Sequence, residues 1–192
     1  MVSGNGGRPA VIHLFGASGS GTTTLGRFIA GKLRYRHMDT DDYYWLPVDP
    51  PFTQKRVPQE RLRLMREEIA ASGGAVISGS LCGWGDPLIP AFTLAVRVVT
   101  DTKLRIHRLR QRELGRFGPR VEPGGDMAEE HLAFLEWAAQ YDDGPLSMRS
   151  RALHDVWQRQ LECPVITVSG AQPLEESWQA VRQALEDMKT RR

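Results

Sequence analysis

The stretch that most restricts the fold runs from residue 10 to residue 33. AVIHLF (10–15) is apolar and rich in β-formers, the pattern of a short strand buried on both faces. GASGSGTTT (16–24) follows with no spacer, and Leu25, Phe28, Ile29 and Leu33 then recur at helical spacing. The segment therefore reads strand, glycine-rich turn, helix.

That turn fits the pattern G-x-x-x-x-G-K-[ST] except at one position. Gly16 and Gly21 frame it, Ala17, Ser18, Gly19 and Ser20 lie between them, and Thr23, followed by Thr24, holds the hydroxyl position. Thr22 stands where the pattern has lysine. Positive φ is expected at Gly16, Gly19 and Gly21, so that successive amides converge on a phosphate at the helix N-terminus. The Thr23 hydroxyl is placed for Mg²⁺. Backbone donors survive any change at Thr22; what is lost is a cation that bridges the β and γ phosphates of a nucleotide. The competing reading is an ordinary tight strand-to-helix turn.

With 192 residues, 41% of them apolar, the chain suits one compact domain over 10–192, preceded by a flexible polar tail at 1–9. A formal charge of +2 does not indicate a nucleic-acid binder. No stretch approaches a membrane span, so no membrane partner and a cytoplasmic location are expected. Two cysteines and five scattered histidines make no zinc framework.

Further strands are expected at about 35–38, 75–80 and 93–100, with a fifth in CPVITVSG. Helices are expected from Pro58 to Ala71, from an Asp101 cap towards Phe117, from an Asp126/Glu129 capping box to about Tyr141, from near Ser147, and after Pro173. Residues 43–56 are aromatic, rich in proline and expected to be irregular. GRFGPRVEPGGD, within a lid at about 115–126, is expected to be a mobile flap flanked by helices. Alternation of strands and helices gives an α/β fold, a parallel sheet with helices on both faces.

Arg105, Arg108, Arg112 and Arg116 share one helical face, with Ile106, Leu109 and Phe117 opposite and free to pack on the sheet. The stripe is either a solvated surface or a cationic wall facing a triphosphate, which Arg120, Arg149 and Arg151 would close from above.

The loop, followed by Asp39 in DTD (39–41), resembles the shikimate kinase and gluconate kinase branch of small P-loop kinases. HMDTDDYYWLP is similar to adenylate-kinase-like proteins called topology modulation proteins. The resemblance implies a five-stranded parallel sheet in the order 2-3-1-4-5, a lid, a substrate-binding region at about 40–72, ATP as donor, and Mg²⁺. It further implies that Thr23 and Asp39 organise Mg²⁺, that Asp41 meets the acceptor, and that Arg108 and Arg112 touch the adenine and donor phosphates. Arg149 would be the cation beyond the lid. The sequence departs from the pattern at Thr22, although GSGTTT is similar to loops of archaeal cytidylate kinases. It departs again after the third strand, where SGS (78–80) has no acid and a hydroxyl such as Ser78 must complete the Mg²⁺ shell.

The acceptor is expected to be a small molecule, first a nucleoside monophosphate and otherwise a hydroxylated metabolite. Asp41 would take a hydroxyl's proton, whereas a phosphate acceptor would call on Lys55 and Arg56. Asp39, Asp41 and Asp42 also suit a plain polar loop. Tyr43, Tyr44, Trp45 and Phe52 suit either base stacking or packing under a loop. Gly79 and Ser80 lead into a turn carrying Trp84, which suits either backbone amides that meet the substrate or a plain turn with one anchored Trp.

Overall fold

The computed structural model describes residues 10–190; the tail expected at 1–9 lies outside them. Five strands, β1 (Val11–Gly16), β2 (Arg36–Asp39), β3 (Ala75–Ser78), β4 (Leu94–Val99) and β5 (Val165–Ser169), pair in parallel in the order β2-β3-β1-β4-β5. The expected topology is the one observed.

The apolarity of β1, broken only by the buried His13, has a direct cause. Val11 and Phe15 pack with Met38, Met65, Ile77 and Trp157 on one face, while Ile12 and Leu14 pack with Leu25, Ile29, Val76 and Val181 on the other. Helices α3 (Pro58–Ala71) and α6 (Arg151–Gln158) cover the first face; α1 (Thr22–Leu33) and α7 (Leu174–Thr190) cover the second. Each fully buried Ile, Leu or Phe contributes about 1.5–3 kcal/mol of burial free energy. Both layers are therefore needed to hold β1 at the centre. From β1 the chain leaves one way to β2 and β3 and returns the other way to β4 and β5, so a crevice opens beyond the C-terminal ends of the strands.

Several local expectations are corrected. A short helix, α2 (Thr40–Tyr44), opens the stretch expected to be irregular, because the Asp39 carboxylate caps it by accepting from the Asp41 amide. The segment expected to form a lid is more regular than its Gly and Pro content indicates: α4 (Thr102–Phe117) runs on to Phe117 and a 3₁₀ helix spans Gly118–Val121. Asp126 caps nothing. It pairs with Arg120, whose other partner is Asp49, and α5 (Ala128–Ala139) starts without a side-chain cap. Helix α6 begins at Arg151 rather than near Ser147, where Ser150 Oγ accepts from the Leu153 amide. Leu109 and Ile106 pack against Leu135, Trp137 and Ala138, all of α5, rather than on the sheet. The Asp101 cap on α4 forms as expected.

Candidate active site

The glycine loop joins β1 to α1 at the crevice floor. Gly19 and Gly21 hold φ of 78° and 102°. Gly16 is corrected: it is glycine because its backbone presses on the Val98 carbonyl, leaving no room for a Cβ. No side chain caps α1, and the amides of Gly19, Gly21, Thr22 and Thr23 donate to no acceptor among the described residues. Ser20 Oγ is also buried without a partner. Orphan donors converging at a helix start make an anion site, so the chain fits a bound polyphosphate.

Thr23 Oγ1 donates to Asp39 Oδ2 at 2.9 Å, placing a hydroxyl and a carboxylate side by side at the loop. Among the described residues no three His, Cys, Asp or Glu gather as a metal site. Mg²⁺ needs fewer protein ligands, since it keeps waters and takes phosphate oxygens, so the Thr23–Asp39 pair fits it. Ser78 is corrected as a further member of that shell. Its hydroxyl donates to the Thr22 carbonyl and contacts His37 Nε2, fixing α1 against β3.

Asp41 lies one helical step beyond Asp39, open to solvent yet low in the crevice. Desolvation, with the Asp39 charge second, pushes its carboxyl above the usual range, while Arg149 and Arg112 pull the other way. Arg149 reaches the loop itself: Nη2 donates to Ser18 Oγ at 2.5 Å and the guanidinium lies 4.8 Å from the Trp137 ring centre.

The expected cationic wall breaks up. Arg105 is wholly buried and donates to the carbonyls of Thr100, Ser18 and Ala138, to Thr102 and to Asp142. It is a strut beneath the loop. Arg108 donates to the Gly170 carbonyl at 2.9 Å, and its Nη1 would be 3.8 Å from a Cβ on Gly21. Arg112 and Arg116 both lie against Glu113, and Arg151 pairs with Asp142.

Among the residues expected to meet an acceptor, Arg56 donates to the Tyr43 carbonyl and so holds the chain, while Lys55 stays exposed 6.0 Å from the Tyr44 and Trp45 rings. Trp45 packs edge-on against Tyr44 and Phe52. The sequence reading missed Arg61. It is 5% exposed, sits 3.7 Å from the Tyr44 ring centre and 5.5 Å from that of Trp84, and donates through Nε to the Arg56 carbonyl. No carboxylate pairs with it among the described residues. Its signal was its register: Arg61 falls one helical turn before buried Met65, on the inner face of α3.

Buried histidines fix the floor. His13 Nε2 donates to the Gly79 carbonyl at 2.9 Å, and burial pushes the imidazole down to about 4 against that bond. His154 lies between Ser80 Oγ at 3.2 Å and Tyr141 OH at 2.8 Å; burial, then the charge of Arg149, lowers it to about 3. Both rings are neutral near pH 7.

No protein-family model matches the chain. A Bacillus subtilis (strain 168) protein, "Uncharacterized protein YqaC", is 43% identical over 157 residues, covering 82% of this chain and 86% of that one. This chain belongs to the YqaC family. The YqaC-family fold is shared with solved kinases at low identity. A shikimate kinase from Bacteroides thetaiotaomicron superposes with a TM-score of 0.56 at 17% identity, over 92% of this chain and 98% of that one. A gluconokinase from Sinorhizobium meliloti 1021 gives 0.54 at 19% identity, with 94% of each chain covered. These likenesses establish the fold. No helix among the described residues is long and apolar enough to cross a membrane.

Proposed function

We propose that this chain is a Mg²⁺-dependent phosphotransferase that moves the γ-phosphoryl group of ATP to a hydroxyl of a small anionic acceptor. One juxtaposition carries the reading: unspent loop amides, the Thr23–Asp39 pair and the Asp41 carboxylate all meet at the C-terminal end of β1 and β2.

The loop amides bind the phosphates and orient the chain of oxygens. Mg²⁺ held through Thr23 and Asp39 would neutralise charge gathering on the β and γ oxygens. Asp41 accepts the proton of the acceptor hydroxyl as its oxygen bonds to the γ phosphorus. The bond from that phosphorus to the β–γ bridging oxygen breaks, and ADP leaves with the electron pair. Arg108, beside Gly21, lies next to the donor phosphates, whereas Arg112 is held by Glu113. The lid segment, tied to the acceptor region through Arg120 and Asp49, closes the crevice against water.

Arg61 supports an anionic acceptor, because a half-sandwiched guanidinium without a carboxylate partner is suited to a carboxylate or phosphate. Its position over Tyr44 also covers one face of that ring, which favours a compact hydroxylated acceptor over a stacked base. The second reading is a nucleoside monophosphate, held by Trp45, Lys55, Gly79 and Ser80. Its basis is the exposed Lys55 ammonium beside Trp45.

The test is ADP release in a coupled assay across nucleoside monophosphates, polyols and hydroxy acids including shikimate and gluconate. Acceptor-dependent release with a hydroxy acid is expected. Release only with a monophosphate supports the second reading, and ATP binding with no acceptor-dependent ADP means a nucleotide-sensing module instead.

A further inference from the structure

The loop has lost its own cation, and its neighbours are mostly committed elsewhere. Arg105 is buried under the loop on three carbonyls. Arg112 and Arg116 lie against Glu113, Arg120 against Asp49 and Asp126, Arg151 against Asp142, and Arg56 on the Tyr43 carbonyl. Arg108 leans on the Gly170 carbonyl beside Gly21, at the inner end of the loop.

Arg149 differs from all of these. Its Nη2 grips Ser18 Oγ in the middle of the loop, the Trp137 ring supports the guanidinium, and no carboxylate forms an ion pair with it among the described residues. The backbone that carries it is anchored. Ser150 Oγ donates to the Pro145 carbonyl, the Arg151 amide donates to the Tyr141 carbonyl at 2.7 Å, and Arg105 links Ala138 to Ser18. The guanidinium is thus held at the loop by packed elements rather than by the lid.

We infer that Arg149 supplies the cationic contact to the terminal phosphate that the residue at position 22 no longer can, an inference that rests on the phosphotransferase reading above. Ser18 parks the guanidinium beside the loop until a triphosphate arrives. The fork then turns its N–H groups to non-bridging γ oxygens, a match of planar donors to paired oxygens that an ammonium cannot make. Arg149 forms and breaks no covalent bond.

The test compares Mg-ATP and Mg-ADP affinities by calorimetry for the wild type, Arg149→Met, Arg149→Lys, Thr22→Lys and the double variant Thr22→Lys/Arg149→Met. A charge-assisted contact is worth about 10–100-fold in affinity. Arg149→Met should therefore weaken ATP about 10–100-fold and ADP far less, so that the ATP-to-ADP preference collapses. Thr22→Lys should raise ATP affinity about tenfold more in the Arg149→Met background than in the wild type, because the two cations would serve one site. Arg149→Lys, which keeps the charge, should fall between. An unchanged ATP-to-ADP ratio in Arg149→Met, or equal gains from Thr22→Lys in both backgrounds, overturns the inference while leaving the phosphotransferase reading standing. Wild-type protein that binds neither nucleotide overturns both.

Discussion

Arg105→Met will lower folding stability by about 3–5 kcal/mol, a large share of the roughly 5–15 kcal/mol typical of a domain. The methionine fills the space of the Arg stem but leaves the carbonyls of Thr100, Ser18 and Ala138 without donors. Each orphaned buried acceptor costs about 1–3 kcal/mol. Asp142 keeps Thr102 and Arg151, so the loss falls on the carbonyls rather than on a stranded charge. Urea denaturation should show the loss as a lower midpoint at an unchanged slope, with a melting temperature lower by about 10 °C. A change below about 1 kcal/mol would mean that water reaches these carbonyls and that the guanidinium is not a strut.

The second large effect concerns chemistry. Asp41→Asn should reduce kcat by about 10²–10⁴ for a hydroxyl acceptor, the range of a single general base. The KM for ATP should move little, because the proposed function assigns donor binding to Asp39 and the loop amides. The same variant discriminates between acceptors. A nucleoside monophosphate presents an oxygen that is already ionised, so its transfer should fall by less than about tenfold. Steady-state kinetics on both acceptor classes gives the comparison, and a small loss with a hydroxyl acceptor removes Asp41 from the proton-transfer role.

The sheet was legible because β1, β3 and β4 are mostly apolar on both faces, with His13, Ser78 and Arg97 as their polar members, a pattern that suits strands covered on both sides. Helix α3 was legible at both ends, with Pro58 at its start and Ser72 closing it. That Thr23 and Asp39 lie together was implied by the resemblance to small P-loop kinases, and the two side chains are hydrogen-bonded. What escaped the sequence depends on partners far along the chain. Helical periodicity places Arg105 in line with Arg108 and Arg112, but whether that face meets water or protein is decided by Ser18 and Ala138, 87 and 33 residues away. Arg61 was missed because charge counting treats an Arg as surface, and only the Tyr44 and Trp84 rings explain its burial. Residues 115–126 read as formless from their Gly and Pro content, while the Arg120–Asp126 pair accompanies a 3₁₀ turn.

The most direct measurement is a calorimetric titration of the wild-type chain with ATP, with and without Mg²⁺. Saturation at a single site, with a dissociation constant between about 1 μM and 1 mM and a clear gain from Mg²⁺, is the predicted result. Absence of saturable heat at roughly ten times that upper bound would contradict the claim that main-chain amides and a borrowed guanidinium hold a triphosphate at a loop whose lysine position is Thr22.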